Sequence, residues 1–217
     1  MRNRNQTKQS PVRQTTTMYS PVYGITGVME SDLEVDYFIL RQFGPKLDFF
    51  QMQAESIRYQ NAERKQYRYT ADAAAIFNGC YYIDEVKYFE DAIKPENQLK
   101  FRLLKEHFAK ESKKFRVITE KDIRVGERAN NLKQLFRALF NTLDVTSLKR
   151  FLRQLPYTQA SLTELFDQAR CANLPLDILY TSIAHGFLRG DLTRPWDLVE
   201  LTWTKCLRNE GSVACLL

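Results

Sequence analysis

The feature that most constrains this chain is the dipeptide Asn78-Gly79, set between two runs of β-forming residues. Asn-Gly supplies the two positive-φ positions of a type I′ turn, whose twist matches an antiparallel hairpin. Residues 67–77 and 80–89 are therefore predicted as paired strands. A two-residue loop sets Phe77 opposite Cys80, which puts Asp72 opposite Glu85 and Thr70 opposite Lys87. The side-chain period of two then places Thr70, Asp72, Ala74, Ile76, Tyr81, Ile83, Glu85 and Lys87 on one sheet face.

Directly opposed Cβ atoms lie about 5 Å apart. Two carboxylates at that spacing repel by roughly 3 kcal/mol at an effective dielectric near 20. A shared proton, a salt bridge or a hard divalent cation must offset this. An acid facing an acid-x-Lys strand is also the arrangement of metal-dependent phosphodiester hydrolysis. There a cation polarises the phosphate and acidifies a bound water, and an ammonium stabilises the charge that builds on phosphorus oxygens.

The bare acid-x-Lys pattern recurs at Glu63-Arg64-Lys65 and Glu111-Ser112-Lys113. Only Glu85-Val86-Lys87 lies on a strand that pairs an upstream acid through a recognisable turn. The competing reading is a surface ladder in which Lys87 neutralises Glu85. The apolar neighbours Ala74, Ile76, Tyr81 and Ile83 argue for partial burial, where an unpaired carboxylate is costly. A register slip of one would instead set Asp84 opposite Asp72, with Lys87 on the other face. Glu34 is the candidate third ligand. Its competing role is structural, because Ser31-Asp32-Leu33-Glu34 reads as a capping box at a helix start.

That helix is predicted to run to Phe43, with Leu33, Tyr37 and Leu40 on one face and Gly44-Pro45 ending it. Further strands are predicted over 47–52, 56–60 and 114–119, and a helix over 95–110 with Pro95 in its first turn. Beyond residue 130 the pattern is helical over 131–140, 145–155, 161–172 and 176–187, with 191–206 a strand or a further helix. The expected organisation is a basic flexible arm (1–20), an α/β domain (21–140), a small helical domain (141–205) and a tail (206–217).

Charge adds a hint about partners. The 217 residues carry a net +6, yet residues 141–217 hold eight bases and eight acids, so the whole surplus lies in the first 140. A positive front half suits a phosphate backbone; the plainer reading is that it keeps the protein soluble. No apolar run approaches the ~18 residues of a membrane span, and the first thirty residues have no signal core. The four cysteines, Cys80, Cys171, Cys206 and Cys215, show neither zinc spacing nor disulfide density. A reduced, cytoplasmic protein with no membrane partner is expected.

A series of short motifs now stands in order: Glu30-Ser31-Asp32-Leu33-Glu34, Gln53 with Ile57-Arg58-Tyr59, Tyr69-Thr70-Ala71-Asp72, Glu85-Val86-Lys87, Ile118-Thr119-Glu120 and Asn131-Leu132. In this order and spacing the chain resembles the TnsA family, the endonuclease subunit of heteromeric cut-and-paste transposases, over about residues 20–205. The resemblance implies an α/β restriction-endonuclease-like core of the PD-(D/E)xK superfamily, a mixed sheet flanked by helices. It also implies a small helical, winged-helix-like C-terminal domain carrying Ile178–Leu188 and Arg189-Gly190-Asp191-Leu192.

By the same resemblance Glu34, Asp72 and Glu85 are metal ligands and Lys87 the catalytic lysine. The implied cofactor is Mg²⁺, with Mn²⁺ as a substitute. The implied activity is cleavage of the 5′ strands at transposon ends in double-stranded DNA. The implied partners are a DDE transposase subunit, which cuts and joins the 3′ ends, and an AAA+ ATPase regulator. Ala71 and Ala54 stand where the family carries prolines.

Two alternatives stay open at this point: another PD-(D/E)xK nuclease of restriction or repair, and a catalytically idle DNA-binding scaffold. The isolated His107 and His185 read as structural, Trp196 and Trp203 as core anchors, and Lys113, Lys114 and Arg116 as a solvated basic turn.

Overall fold

The computed structural model describes residues 15–54, 56–60 and 65–204. The described residues divide into two compact units, those within 15–38 and 46–123 and those within 39–45 and 124–204.

The first unit opens with a hairpin, β1 (Thr16–Ser20) and β2 (Ile25–Met29), paired antiparallel. Residues 16–20 of the expected basic arm are thus strand, and residues 1–14 lie outside the described residues. Helix α1 (Asp32–Phe43) follows directly, and Leu33, Tyr37 and Leu40 are buried as the helical spacing predicts. Then come β3 (Phe49–Met52), β4 (Ser56–Gln60), β5 (Gln66–Thr70), β6 (Ala73–Phe77) and β7 (Cys80–Val86). A short helix α2 (Phe89–Ala92), the long helix α3 (Pro95–Lys110), β8 (Lys113–Ile118) and the turn-length α4 (Glu120–Ile123) complete the unit.

The central sheet has the order β3-β6-β7-β8, antiparallel except for the parallel pair β7–β8. The hairpin register is the one the Asn78-Gly79 turn predicts: Phe77 opposes Cys80 and the ladder runs to Ala73 opposite Asp84. Both turn residues have positive φ, 48° and 71°, as a type I′ turn requires.

The strand predicted over 67–77 is corrected to two. The chain leaves the ladder at Ala71-Asp72, so β5 pairs with β4 and β6 with β3 and β7. At the break the Gln53 N–H, on a residue with φ 49°, donates to the Asp72 carbonyl at 2.6 Å. That bond supplies the partner a continuous ladder would have given.

Alternation along β6 and β7 sorts the two faces of the sheet. Ala74 and Ile83 pack with Phe101, Leu104 and Phe108 of α3, Phe115 of β8 and Tyr69 of β5 in one apolar cluster. Asp84 turns to the opposite face, where the Tyr37 hydroxyl of α1 donates to it. Asp84 is fully buried and accepts Arg116 Nε and Nη2, each at 2.7 Å. Arg116, expected in a solvated turn, is a structural partner instead.

The second unit holds α5 (Arg128–Ala138), α6 (Val145–Gln154), β9 (Gln159–Ser161), α7 (Leu162–Cys171), α8 (Asp177–Ala184) and β10 (Glu200–Thr202). The predicted helices are all present. Of the stretch 191–206, the described residues 191–204 hold a 3₁₀ turn at Trp196–Leu198 and β10, which pairs antiparallel with β9. Asn131 is buried, and its amide donates to the carbonyls of Leu192 and Arg194 at 2.9 and 2.7 Å. Trp203 is buried against Tyr157, as a core anchor should be. Trp196 stands edge-on to Tyr180 and donates to Gln134. The tail from residue 205 on lies outside the described residues.

Candidate active site

Glu34, Asp72, Glu85 and Lys87 line one polar cavity of about 380 Å³ in the first unit, together with Arg68, Tyr69, Thr70 and Lys100. Four pieces of backbone deliver them. The first turn of α1 carries Glu34, the β5–β6 break carries Asp72, and the end of β7 carries Glu85 and Lys87. α3 brings Lys100 across the same sheet face.

All three carboxylates are buried. Each has a partner that offsets the cost of taking a charge out of water. Asp72 Oδ2 accepts the Val86 N–H at 2.9 Å, a bond that locks the carboxylate across the hairpin beside Glu85. Glu85 Oε1 receives the Lys100 ammonium at 2.8 Å. The salt bridge anticipated for the opposed acids therefore comes from α3, and not from Lys87. Lys87 is half-buried and makes no ion pair among the described residues; its backbone N–H closes onto the Ile118 carbonyl at 3.0 Å.

Glu34 is engaged at the helix start. Its Oε2 accepts the Glu30 N–H at 3.0 Å and its Oε1 the Ser31 hydroxyl at 3.1 Å, while Ser31 Oγ accepts the Glu34 N–H. The cap differs from the predicted box by one residue, since the reciprocal bond reaches Glu30 and not Ser31. Gln53 Nε2 lies 3.4 Å from Glu30 Oε1, so two further motif residues meet at this rim.

Two residues complete the pocket: Lys100, which the sequence did not single out, and Tyr69, which stood in a motif without an assigned role. Lys100 sits over the ring of Tyr69, 4.8 Å from its centroid, a cation–π contact. The Tyr69 hydroxyl is buried beside Glu85 without a hydrogen bond of normal geometry. Burial, and then the charges of Glu85 and Asp72, hold that phenol well above its ordinary pKa, so it stays a protonated donor. A Lys at helical spacing from Pro95 carries no signal of its own; only the packing of α3 on the sheet brings it to Glu85.

The donor set, three carboxylates in one polar pocket, has the oxygen chemistry of a hard divalent cation site. As the side chains stand, no group of three or more His, Cys, Asp or Glu among the described residues is gathered to hold a metal ion. The local bonds explain this: Glu34 turns to its cap and Glu85 to Lys100. His107, near Glu111, and His185, near the Asn141 carbonyl, take no part in the cavity.

A four-stranded mixed sheet flanked by helices, with acids and a lysine at the hairpin's open end, fits a restriction-endonuclease-like core. Residues 45–120 match the family described as TnsA-like endonuclease N terminal, which supports assigning the chain to the TnsA-like family and suggests a nuclease of the transposase type. The matched segment contains Asp72, Glu85, Lys87 and Lys100; Glu34 precedes it. No curated protein matches the chain. No helix among the described residues is long and apolar enough to cross a membrane.

Proposed function

We propose that this chain is the Mg²⁺-dependent endonuclease subunit of a cut-and-paste transposase, cleaving the 5′ strands at transposon ends. The observation that carries the reading is the convergence of Glu34, Asp72, Glu85 and Lys87 on one cavity within a unit that bears the TnsA-like match.

Asp72 and Glu85 would hold the cation, joined by Glu34 once its carboxylate turns from the cap. When bound, the metal polarises the scissile phosphate and lowers the pKa of a water at its side. Lys87, which Glu85 does not occupy, brings its ammonium to the phosphate and stabilises the negative charge gathering on its oxygens. The Val86 N–H keeps Asp72 in place throughout. Lys100 supplies a compensating charge on Glu85, the charge that a bound cation would also supply.

The partners in this reading are double-stranded DNA, a DDE transposase that acts on the 3′ ends and an AAA+ regulator. The helices and the β9–β10 ribbon of the second unit are read as a winged-helix-like domain, and the setting as cytoplasmic. A second reading, an idle DNA-binding scaffold, draws on the Glu85–Lys100 ion pair, which satisfies Glu85 without metal.

Calorimetric titration of Mn²⁺ into the chain with duplex DNA present separates the two. Binding to the wild type that disappears in Asp72→Ala supports the nuclease, as does loss of 5′ cutting in Asp72→Ala and Glu85→Ala in the presence of the transposase. Binding absent from wild type, or unchanged in the variant, supports the scaffold.

A further inference from the structure

Tyr69 is the next-to-last residue of β5, paired with Ile57 of β4, and it packs in the apolar cluster between the sheet and α3. Its ring stands edge-on to the stacked pair Phe108 and Phe115, 6.3 Å from each centroid, and the residue is buried. Its polar end has no such fit. The hydroxyl is buried and makes no hydrogen bond of normal geometry. A phenylalanine would supply the same ring contacts without burying an oxygen. A buried hydroxyl left without a bond costs the folded state free energy, so ring packing by itself does not account for a tyrosine here.

The surroundings of the hydroxyl do. Tyr69 lines the cavity with Asp72, Glu85 and Lys87. The Lys100 ammonium lies 4.8 Å from the centre of the Tyr69 ring and 2.8 Å from Glu85 Oε1, so the ring and the carboxylate share one cation. The carboxylate beside the hydroxyl is that of Glu85. Lys100 reaches it through Oε1, and a carboxylate can accept about four hydrogen bonds. A phenol is a donor that brings no charge. It can therefore hold Glu85 without competing with a cation for it, which the Lys100 ammonium cannot. Carboxylates in metal sites are oriented by hydrogen-bond donors of this kind.

We infer that Tyr69 is a positioning residue, whose hydroxyl donates to Glu85 when that carboxylate turns from Lys100 to face the cavity. The inference rests on the nuclease reading of the cavity and adds a residue to which that reading gives no part.

Tyr69→Phe keeps the ring and deletes only the hydroxyl. Two measurements on the full chain test it: thermal melting without metal, and calorimetric titration of Mn²⁺ with duplex DNA present. Melting temperature should equal or exceed that of the wild type, because no bond is lost and a buried polar atom is removed. Mn²⁺ affinity should fall by about 10–100-fold, the usual loss when a donor to a metal-holding side chain is deleted. Tyr67→Phe, on the exposed part of the same strand, should change neither.

A hydroxyl with a purely structural part would give the reverse, a lower melting temperature with unchanged affinity, and that result overturns the inference. So does weaker binding that comes with a lower melting temperature, since the loss then travels through the fold. Wild-type affinity in a folded Tyr69→Phe overturns the inference and leaves the nuclease reading standing. Absence of Mn²⁺ binding in the wild type brings down the nuclease reading and the inference with it.

Discussion

Lys100→Met removes the ammonium that compensates Glu85 while keeping most of the side chain's length. Glu85 has a side-chain exposure of 5% and Lys100 of 27%, so this pair lies between the buried and exposed limits. Exposed pairs contribute about 0–1 kcal/mol and breaking buried ones costs about 3–5. The intermediate setting points to a loss of about 2 kcal/mol, because Glu85 is left buried with Asp72 as its near neighbour and no counter-charge. In a unit of this size that is a fall in melting temperature of roughly 6–10 °C.

Two companion measurements give the number its meaning. Lys100→Met/Glu85→Gln should recover part of the loss, since the uncompensated charge is gone. Mn²⁺ should stabilise Lys100→Met more than the wild type, because the cation no longer competes with an ammonium for Glu85. At a hundredfold excess over its dissociation constant a ligand adds about 2.7 kcal/mol, enough to restore the variant. Thermal melts with and without Mn²⁺ read all of this. A Lys100→Met melt equal to wild type, with an equal response to Mn²⁺, would refute the claim that Lys100 balances Glu85 and competes with the metal.

The opposite face of the sheet offers a metal-independent counterpart: Arg116→Met leaves the fully buried Asp84 with the Tyr37 hydroxyl but without its counter-charge and, since Arg116 is itself 36% exposed, should cost about 2–3 kcal/mol by urea denaturation, with Asp84→Asn in the same chain recovering part of it. In the second unit, hydrogen bonds from Ser147 hold the Asp144 carboxyl below its ordinary value, and hydrogen bonds from Ser161 do the same for Glu164. A carboxyl depressed by folding stabilises fully above its unfolded pKa and loses that contribution as pH falls through the folded one. Melting temperature should therefore hold above about pH 5 and drop below it, with a shallower drop in Asp144→Asn; parallel drops would show that the α6 cap does not contribute.

Local chemistry made much of this protein legible before any coordinates. Asn78-Gly79 determines its own turn, and the turn determines the register that sets Asp72 near Glu85, because pairing in a hairpin propagates from the loop outward. The helix spans from Pro95 to Lys110 and across the second unit follow from apolar spacing and caps, which act within a few residues. The same logic overran at residues 67–77. The register extrapolated from the turn carries the strand through Ala71-Asp72, two poor strand formers, but the chain changes partners there, and a change of partners is not written in the register.

What the tertiary structure alone decided is the company each charge keeps. Glu85 meets Lys100 and not the adjacent Lys87, Asp84 meets Arg116 and Tyr37, and Asp72 meets the Val86 N–H. These partners come from α1, α3, β7 and the parallel strand β8, up to 47 residues away. Sequence patterning can say that a buried carboxylate needs a counter-charge or a donor. Which one answers depends on how the helices seat on the two faces of the sheet, and packing, with no period of its own along the chain, decides that.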